Sequence, residues 1–223
     1  MLCPDADLDA ALDAGVRSAF VNNGQTWSAT SRLVVTRDRL DEVEQRLAEL
    51  VGSQQVGGPL KPDTQIGPVA SAAQYRSIQT FLERADNEGT VITGGAGRSP
   101  GDERGWFVRP TVVSRVSSSA SVALEEIFGP VLTVVPADTV DEAIEVANNS
   151  DYGLSGAVWA GDVDSAIAVA RRLRTGQVSV NGGRFNVMAP FGGFKKSGVG
   201  RELGPHGLAE YFELISRQLP VPA

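Results

Sequence analysis

Between residues 131 and 180 strand and helix periods alternate without a break, and no other feature restricts the fold as strongly. Residues 131–135, 156–160 and 177–180 read as strands, and residues 139–148 and 163–174 between them follow a helical period. Val- and Leu-rich strands separated by amphipathic helices imply a mostly parallel sheet covered on both faces, a three-layer αβα arrangement of the α/β class. Asp162 and Asp164 open the second of these helices, Arg171, Arg172 and Arg174 close it, and Gly176 follows. Its charges therefore run with the helix dipole and its stop signal is in place.

The first half is built from the same parts, less regularly. Leu12, Val16 and Phe20 share one helical face over residues 9–20, behind Asp5, Asp7 and Asp9, and residues 32–36 form a β-branched run. Helix period returns over 38–51, on Leu40, Val43, Leu47 and Leu50, and again over 71–88. Residues 51–67 read as loop, 90–93 as a short strand and 94–105 as a Gly/Ser/Pro/Asp loop without packable side chains. Residues 211–222 read as a strand with a Pro-rich end.

The chain has 223 residues, 42% of them apolar and 21% charged, enough to bury a core without a metal or disulfide staple. Asp and Glu number 27 against 20 Lys and Arg, so the net charge of −7 argues against nucleic acid and acidic membranes as partners. No apolar run approaches the ~20 residues of a bilayer span. The first residues carry neither a basic nor an apolar leader pattern, and the expected compartment is the cytoplasm. One cysteine and one histidine exclude Cys/His zinc sites and intrachain disulfides, so no metal is expected. Cys3 reads as an unreactive terminal thiol and His206, between Pro205 and Gly207, as a solvated turn residue. Seven basic and no acidic residues between Arg171 and Arg201 are explained mostly by helix-end and surface charge.

Generic nucleotide motifs fail. In Ser197-Gly198-Val199-Gly200-Arg201-Glu202-Leu203-Gly204 the third glycine falls one place late for a dinucleotide fingerprint, and Gly193-Phe194-Lys195-Lys196-Ser197 lacks the spacing of a phosphate loop. Four other segments are specific in combination: Phe20-Val21-Asn22-Asn23-Gly24-Gln25 with Ser31-Arg32, Glu125-Glu126-Ile127-Phe128-Gly129-Pro130-Val131, Asn148-Asn149-Ser150-Asp151-Tyr152-Gly153-Leu154, and Pro190-Phe191-Gly192-Gly193-Phe194-Lys195-Lys196-Ser197-Gly198. In this order and spacing the chain resembles the aldehyde dehydrogenase superfamily along essentially its whole length, and resembles only the C-terminal half of such an enzyme.

The resemblance implies a catalytic-type domain over residues 1–210 and an oligomerisation strand over 211–223. It implies NAD or NADP as cofactor, with Glu126 accepting hydrogen bonds from the nicotinamide ribose and Phe128 beside the nicotinamide ring. Gly129-Pro130 would fix the turn that presents them, Gly192 and Gly193 would form a loop closing over the site, and Asn181 would be structural rather than catalytic. The family nucleophile is a cysteine two residues after Gly-Gln; here the sequence is Gly24-Gln25-Thr26-Trp27-Ser28, so Trp27 takes that place. Indole cannot form the thiohemiacetal that precedes hydride transfer, and Ser28 lies one position off without a base. The family's general-base glutamate, oxyanion asparagine and most of the dinucleotide domain match nothing in this chain. Cofactor binding is therefore expected to be weak or absent, Trp27 to fill core or tunnel, and the tail to drive self-association or docking onto a full-length homologue. A separate chain supplying the cofactor domain is the alternative.

Overall fold

A computed structural model describes residues 1–99 and 105–221. The chain starts α1 (Leu8–Phe20), β1 (Arg32–Thr36), α2 (Leu40–Gly52), α3 (Ala72–Glu88), β2 (Thr90–Thr93), β3 (Thr111–Ser114) and α4 (Ser121–Leu124). It continues β4 (Val131–Ala137), α5 (Val140–Asn148), β5 (Tyr152–Gly153), β6 (Ser155–Val158), α6 (Val163–Ala170), β7 (Gln177–Val180), β8 (Phe194–Lys195) and α7 (Gly204–Ala209). Helix starts fall where a short polar side chain can hold a free backbone N–H. Asp7, Ser71, Thr139 and Asp162 accept from the amides of Ala10, Gln74, Glu142 and Ser165 at 2.9–3.1 Å, each contributing about 1 kcal/mol.

The sheet is mostly parallel, as the alternation requires. β1 lies beside β4 and β4 beside β3, both parallel, and β2 closes that edge antiparallel to β3, with a register shift between Val91 and Thr93. β6 and β7 form a separate parallel pair. Residues Met1–Cys3 join the two groups: Leu2 N–H donates to Val34 O and Cys3 N–H to Trp159 O, both at 2.9 Å, and Leu2 bridges Val35 and Trp159 in parallel. The layer therefore runs β2-β3-β4-β1, then residues 1–3, then β6-β7.

Strand residues alternate between two cores, as a two-residue period demands. Val35, Val112, Leu132 and Val134 face Leu12, Val16 and Leu47 of α1 and α2; Val34, Val113, Val131 and Val135 face Ile78, Leu82 and Val146 of α3 and α5. A third cluster places Cys3, Val158 and Ala160 against Ala166 and Val169 of α6. Each fully buried Leu or Ile contributes roughly 1.5–3 kcal/mol by leaving water.

Four expectations change. The helix expected over 163–174 ends at Ala170, where Arg172 and Leu173 bond back to Val169 and Ala170 in three-residue turns. The tail from Tyr211 forms no strand, because its exposed backbone has no second strand beside it. His206 sits on α7, still exposed, with Pro205 in the first turn. Cys3, read as an unreactive terminal thiol, is a core side chain, and burial pushes its thiol up. Of the 94–105 loop, residues 100–104 lie outside the described residues, as do Pro222 and Ala223. No helix among the described residues is long and apolar enough to cross a membrane.

Candidate functional site

The four motif segments, far apart in sequence, converge at one end of the sheet. After α1 the backbone reverses through Asn22, Asn23 and Gly24, all at left-handed φ of 50°, 58° and 72°. This tight turn delivers residues 25–28 to the surface. A side chain on Gly24 would lie inside 3.0 Å of Gly129 O, Gly129 C and Pro130 N, so a glycine here lets the turn touch the Glu125–Val131 segment backbone to backbone. The turn's own side chains bolt it down: Asn23 donates to Pro68 O at 3.0 Å and accepts from Gly67 N–H at 2.8 Å, and Gln25 accepts from Ala70 N–H at 2.9 Å.

On the facing segment, Gln74 of α3 donates to the carbonyls of Ile127 and Phe128 at 3.1 and 2.9 Å. Phe128 is held at φ 53°, a strained conformation for an aromatic residue, and is 37% exposed. Glu126 is exposed on the same turn.

The other two segments meet as the β5–β8 pair, with Gly153 facing Phe194. Gly176 lies so close to the Gly192 carbonyl that any side chain there would overlap it. Phe191 and Glu202 exchange backbone bonds of 2.6 and 2.7 Å, closing a loop around Gly192 and Gly193. Cations fix this loop. Arg201 donates to Gly193 O and Gly200 O at 3.0 and 2.8 Å, and Arg201 and Arg174 both lie over the Phe194 ring. Lys195 donates to Asn148 O and Ser150 O at 2.8 Å, at the C-terminal end of α5, where a cation also suits the helix dipole. Lys196 pairs with Asp151 at 2.6 Å and holds that carboxyl below the usual range. Most of the basic run between Arg171 and Arg201 is thus engaged with carbonyls, rings and carboxylates.

A cavity of about 490 Å³ opens between these segments, lined by Trp27, Glu126, Tyr152, Leu154, the 191–193 and 196–202 stretches and Glu210. Trp27 and Glu126 also line a second cavity of about 220 Å³ that reaches back between β1 and β6. The structure brings Trp27 and Glu126 to one place; Phe128 is not among the residues lining either cavity. Trp27 is 70% exposed rather than core, because the reversed turn carries it outward and no described element packs over it. Asn181 lines neither cavity. It accepts from Ala160 N–H at 2.9 Å and donates to Ala160 O at 3.0 Å, a clamp that makes it structural. Ser28 lends its carbonyl to the Ser155 hydroxyl at 3.1 Å. Gln74, which shapes the site, is absent from the sequence reading, and Arg201 enters it only as the end of a basic run. Helical Gln and loop Arg have no local signature, and only the close approach of the glycines shows what they hold.

Comparison with known proteins extends the geometry. The aldehyde dehydrogenase family profile matches residues 1–216. A 3-succinoylsemialdehyde-pyridine dehydrogenase of a Pseudomonas species is 45% identical over 96% of this chain and 45% of its own length. Geranial dehydrogenase of Castellaniella defragrans is also 45% identical, over 93% of this chain and 43% of its own. Among solved structures, a mutant of aldehyde dehydrogenase C from Pseudomonas syringae, complexed with NAD⁺ and octanal, superposes with a TM-score of 0.92 at 46% identity, over 95% of this chain and 44% of that one. The chain spans less than half the length of these relatives.

Proposed function

Because the chain belongs to the aldehyde dehydrogenase family, a family of oxidoreductases, we propose that it is a non-catalytic form of that domain, inert toward aldehydes by itself. The observation that carries this reading is the indole of Trp27 where the four motif segments converge. An indole offers no nucleophile to a carbonyl, and the described residues around it hold no cysteine or histidine to replace one.

NAD or NADP is the cofactor of the family reading, and this chain's residues do not make a site for it. Glu126 supplies one carboxylate acceptor at the cavity, Phe128 does not reach the lining, and Lys196 and Arg201 are committed to Asp151 and to backbone carbonyls. One or two contacts cannot offset the roughly 4 kcal/mol or more of lost translational and rotational freedom, so binding is weak or absent. The test is NAD⁺ and NADP⁺ reduction with a panel of aldehydes, together with ester hydrolysis, on the unmodified chain and on Trp27→Cys. Neither protein turns over; reduction above a no-protein control by the unmodified chain refutes the proposal.

A second reading is favoured by a separate observation: Tyr211, Phe212, Leu214, Ile215 and Leu219 are 65–100% exposed on a tail without a partner. Five large apolar side chains in water favour capture by another surface. On this reading the chain is an interaction module of the cytoplasm that self-associates or docks onto a full-length homologue through residues 211–219.

A further inference from the structure

The C-terminal end of α5 is a joint between three of the four motif segments. Five successive carbonyls there accept from two cations: Val146, Ala147 and Asn149 from Arg32 of β1 at 3.1–3.4 Å, and Asn148 and Ser150 from Lys195 of β8 at 2.8 Å. The last carbonyls of a helix have no partner within it, so they are open to donors from elsewhere. The Asn148 side chain adds a clamp, donating to Arg172 O at 3.0 Å and accepting from Arg174 N–H at 2.7 Å. The accepting side of the joint is therefore fixed by β1 and by residues 172–174, independently of Lys195.

Lys195 comes to the joint on the loop from Phe191 to Glu202, which lines the 490 Å³ cavity, and is not itself among the lining residues. Its backbone stands at φ 56°, a left-handed conformation that a lysine keeps only where its surroundings over-determine it. The loop's other ties to residues 151–153 are weaker. Lys196 and Asp151 form an ion pair whose side chains are each 69% exposed, so solvent and salt screen it. β5 and β8 share only two residues. Gly153 N–H donates to Ser197 Oγ at 3.0 Å and Lys196 N–H to Asp151 O at 2.9 Å, and both bonds require the loop to lie against 151–153. No side chain of residues 191–202 belongs to any of the three hydrophobic cores, so apolar burial does not hold the loop down.

We propose that Lys195 is the latch of this loop: a positioning residue that fastens the cavity wall formed by residues 191–202 to the end of α5. It does so through its hydrogen bonds to Asn148 O and Ser150 O, without touching what enters the cavity. The proposal rests on that cavity as the candidate site, and its test is independent of what the cavity binds. Without the latch the loop lifts locally while the sheet and its helices stay folded, since their cores take nothing from it.

The experiment is hydrogen exchange on the full chain, followed at the amides of Gly153 and residue 196, with those of Leu47 and Leu82 in α2 and α3 as reference. Lys195→Met keeps the stem of the side chain and deletes its donors. The expected result is exchange about tenfold faster at Gly153 and residue 196, with Leu47 and Leu82 within about threefold of the unmodified chain. Lys195→Arg restores donors for both carbonyls, and Lys196→Met removes only the exposed ion pair; both should stay within about threefold everywhere. Loop exchange in Lys195→Met that stays within threefold, or that quickens together with Leu47 and Leu82, overturns the latch. So does either Lys195→Arg or Lys196→Met exchanging as fast as Lys195→Met. Because no readout uses an aldehyde or a cofactor, turnover by the chain would refute its proposed inertness and leave the latch standing.

Discussion

Replacing Gly24 by alanine tests whether the site is assembled by backbone contact. The residue stands at φ 72°, which costs an L side chain about 1–2 kcal/mol. The new Cβ would also lie inside 3.0 Å of three backbone atoms of Gly129 and Pro130, none of which is the free end of a side chain. Forcing one methyl group into a packed contact costs about 1–3 kcal/mol more, giving about 2–5 kcal/mol in all. For a chain of this size that lowers the melting temperature by about 4 to 20 °C. Gly15→Ala is the internal control: in the middle of α1, with open space around the added Cβ, it should stabilise by about 0.5–1 kcal/mol. Thermal melts and urea titrations of the three proteins decide the matter. A Gly24→Ala loss below about 1 kcal/mol, or effects of the same sign at both positions, would refute the claim that Gly24 docks this turn on the Glu125–Val131 segment.

The Met1 amino group, lowered from 8.0 to about 6 by burial, binds its proton more weakly folded than unfolded, so stability should rise between pH 6 and pH 8. The gain is at most about 2.7 kcal/mol; urea midpoints across that range should show it, and acetylating the N-terminus should abolish the group's share. Asn181→Ala removes both bonds to Ala160 and places alanine at φ 44°, an expected loss of about 2–3 kcal/mol by chemical denaturation. A chain ending at Glu210 should be monomeric by light scattering where the intact chain associates at tens of micromolar; two monomers that also ignore a full-length homologue would remove the interaction reading.

The fold was legible wherever burial is written in a short-range period. Leu40, Val43 and Leu47 lie in the core as their spacing predicts, and the strands from Arg32, Val131 and Gln177 start where the β-branched runs start. What the sequence concealed is decided over distance. β3 is four buried residues, Thr111–Ser114, too few to show a period, and it exists because β4 and β2 flank it. β5 and β8 are two residues each and are made by glycines that let Gly153 and Phe194 meet. The tail read as a strand for the converse reason: apolar Phe212, Leu214 and Ile215 report a surface that wants covering, and the described residues provide no strand to cover it.

The site divides along the same line. That Trp27 takes the place which the family resemblance gives to a nucleophile could be read from five residues, and the structure brings it beside Glu126. Its exposure could not, because exposure depends on what lies opposite. The outward turn at Asn22-Asn23-Gly24 and the bare tail both open at surfaces that the described residues leave uncovered. The turn is held rigidly all the same, by Gly67, Pro68 and Ala70. Rigid backbone around an uncovered surface lowers the ordering cost that a partner's arrival would otherwise impose. If the face at Trp27 is a partner surface, its ligand should therefore bind without slowing to a conformational step, with association rates linear in ligand concentration by stopped flow. Saturation of those rates would mean that the turn must first open, contrary to the bonds that Asn23 and Gln25 already make.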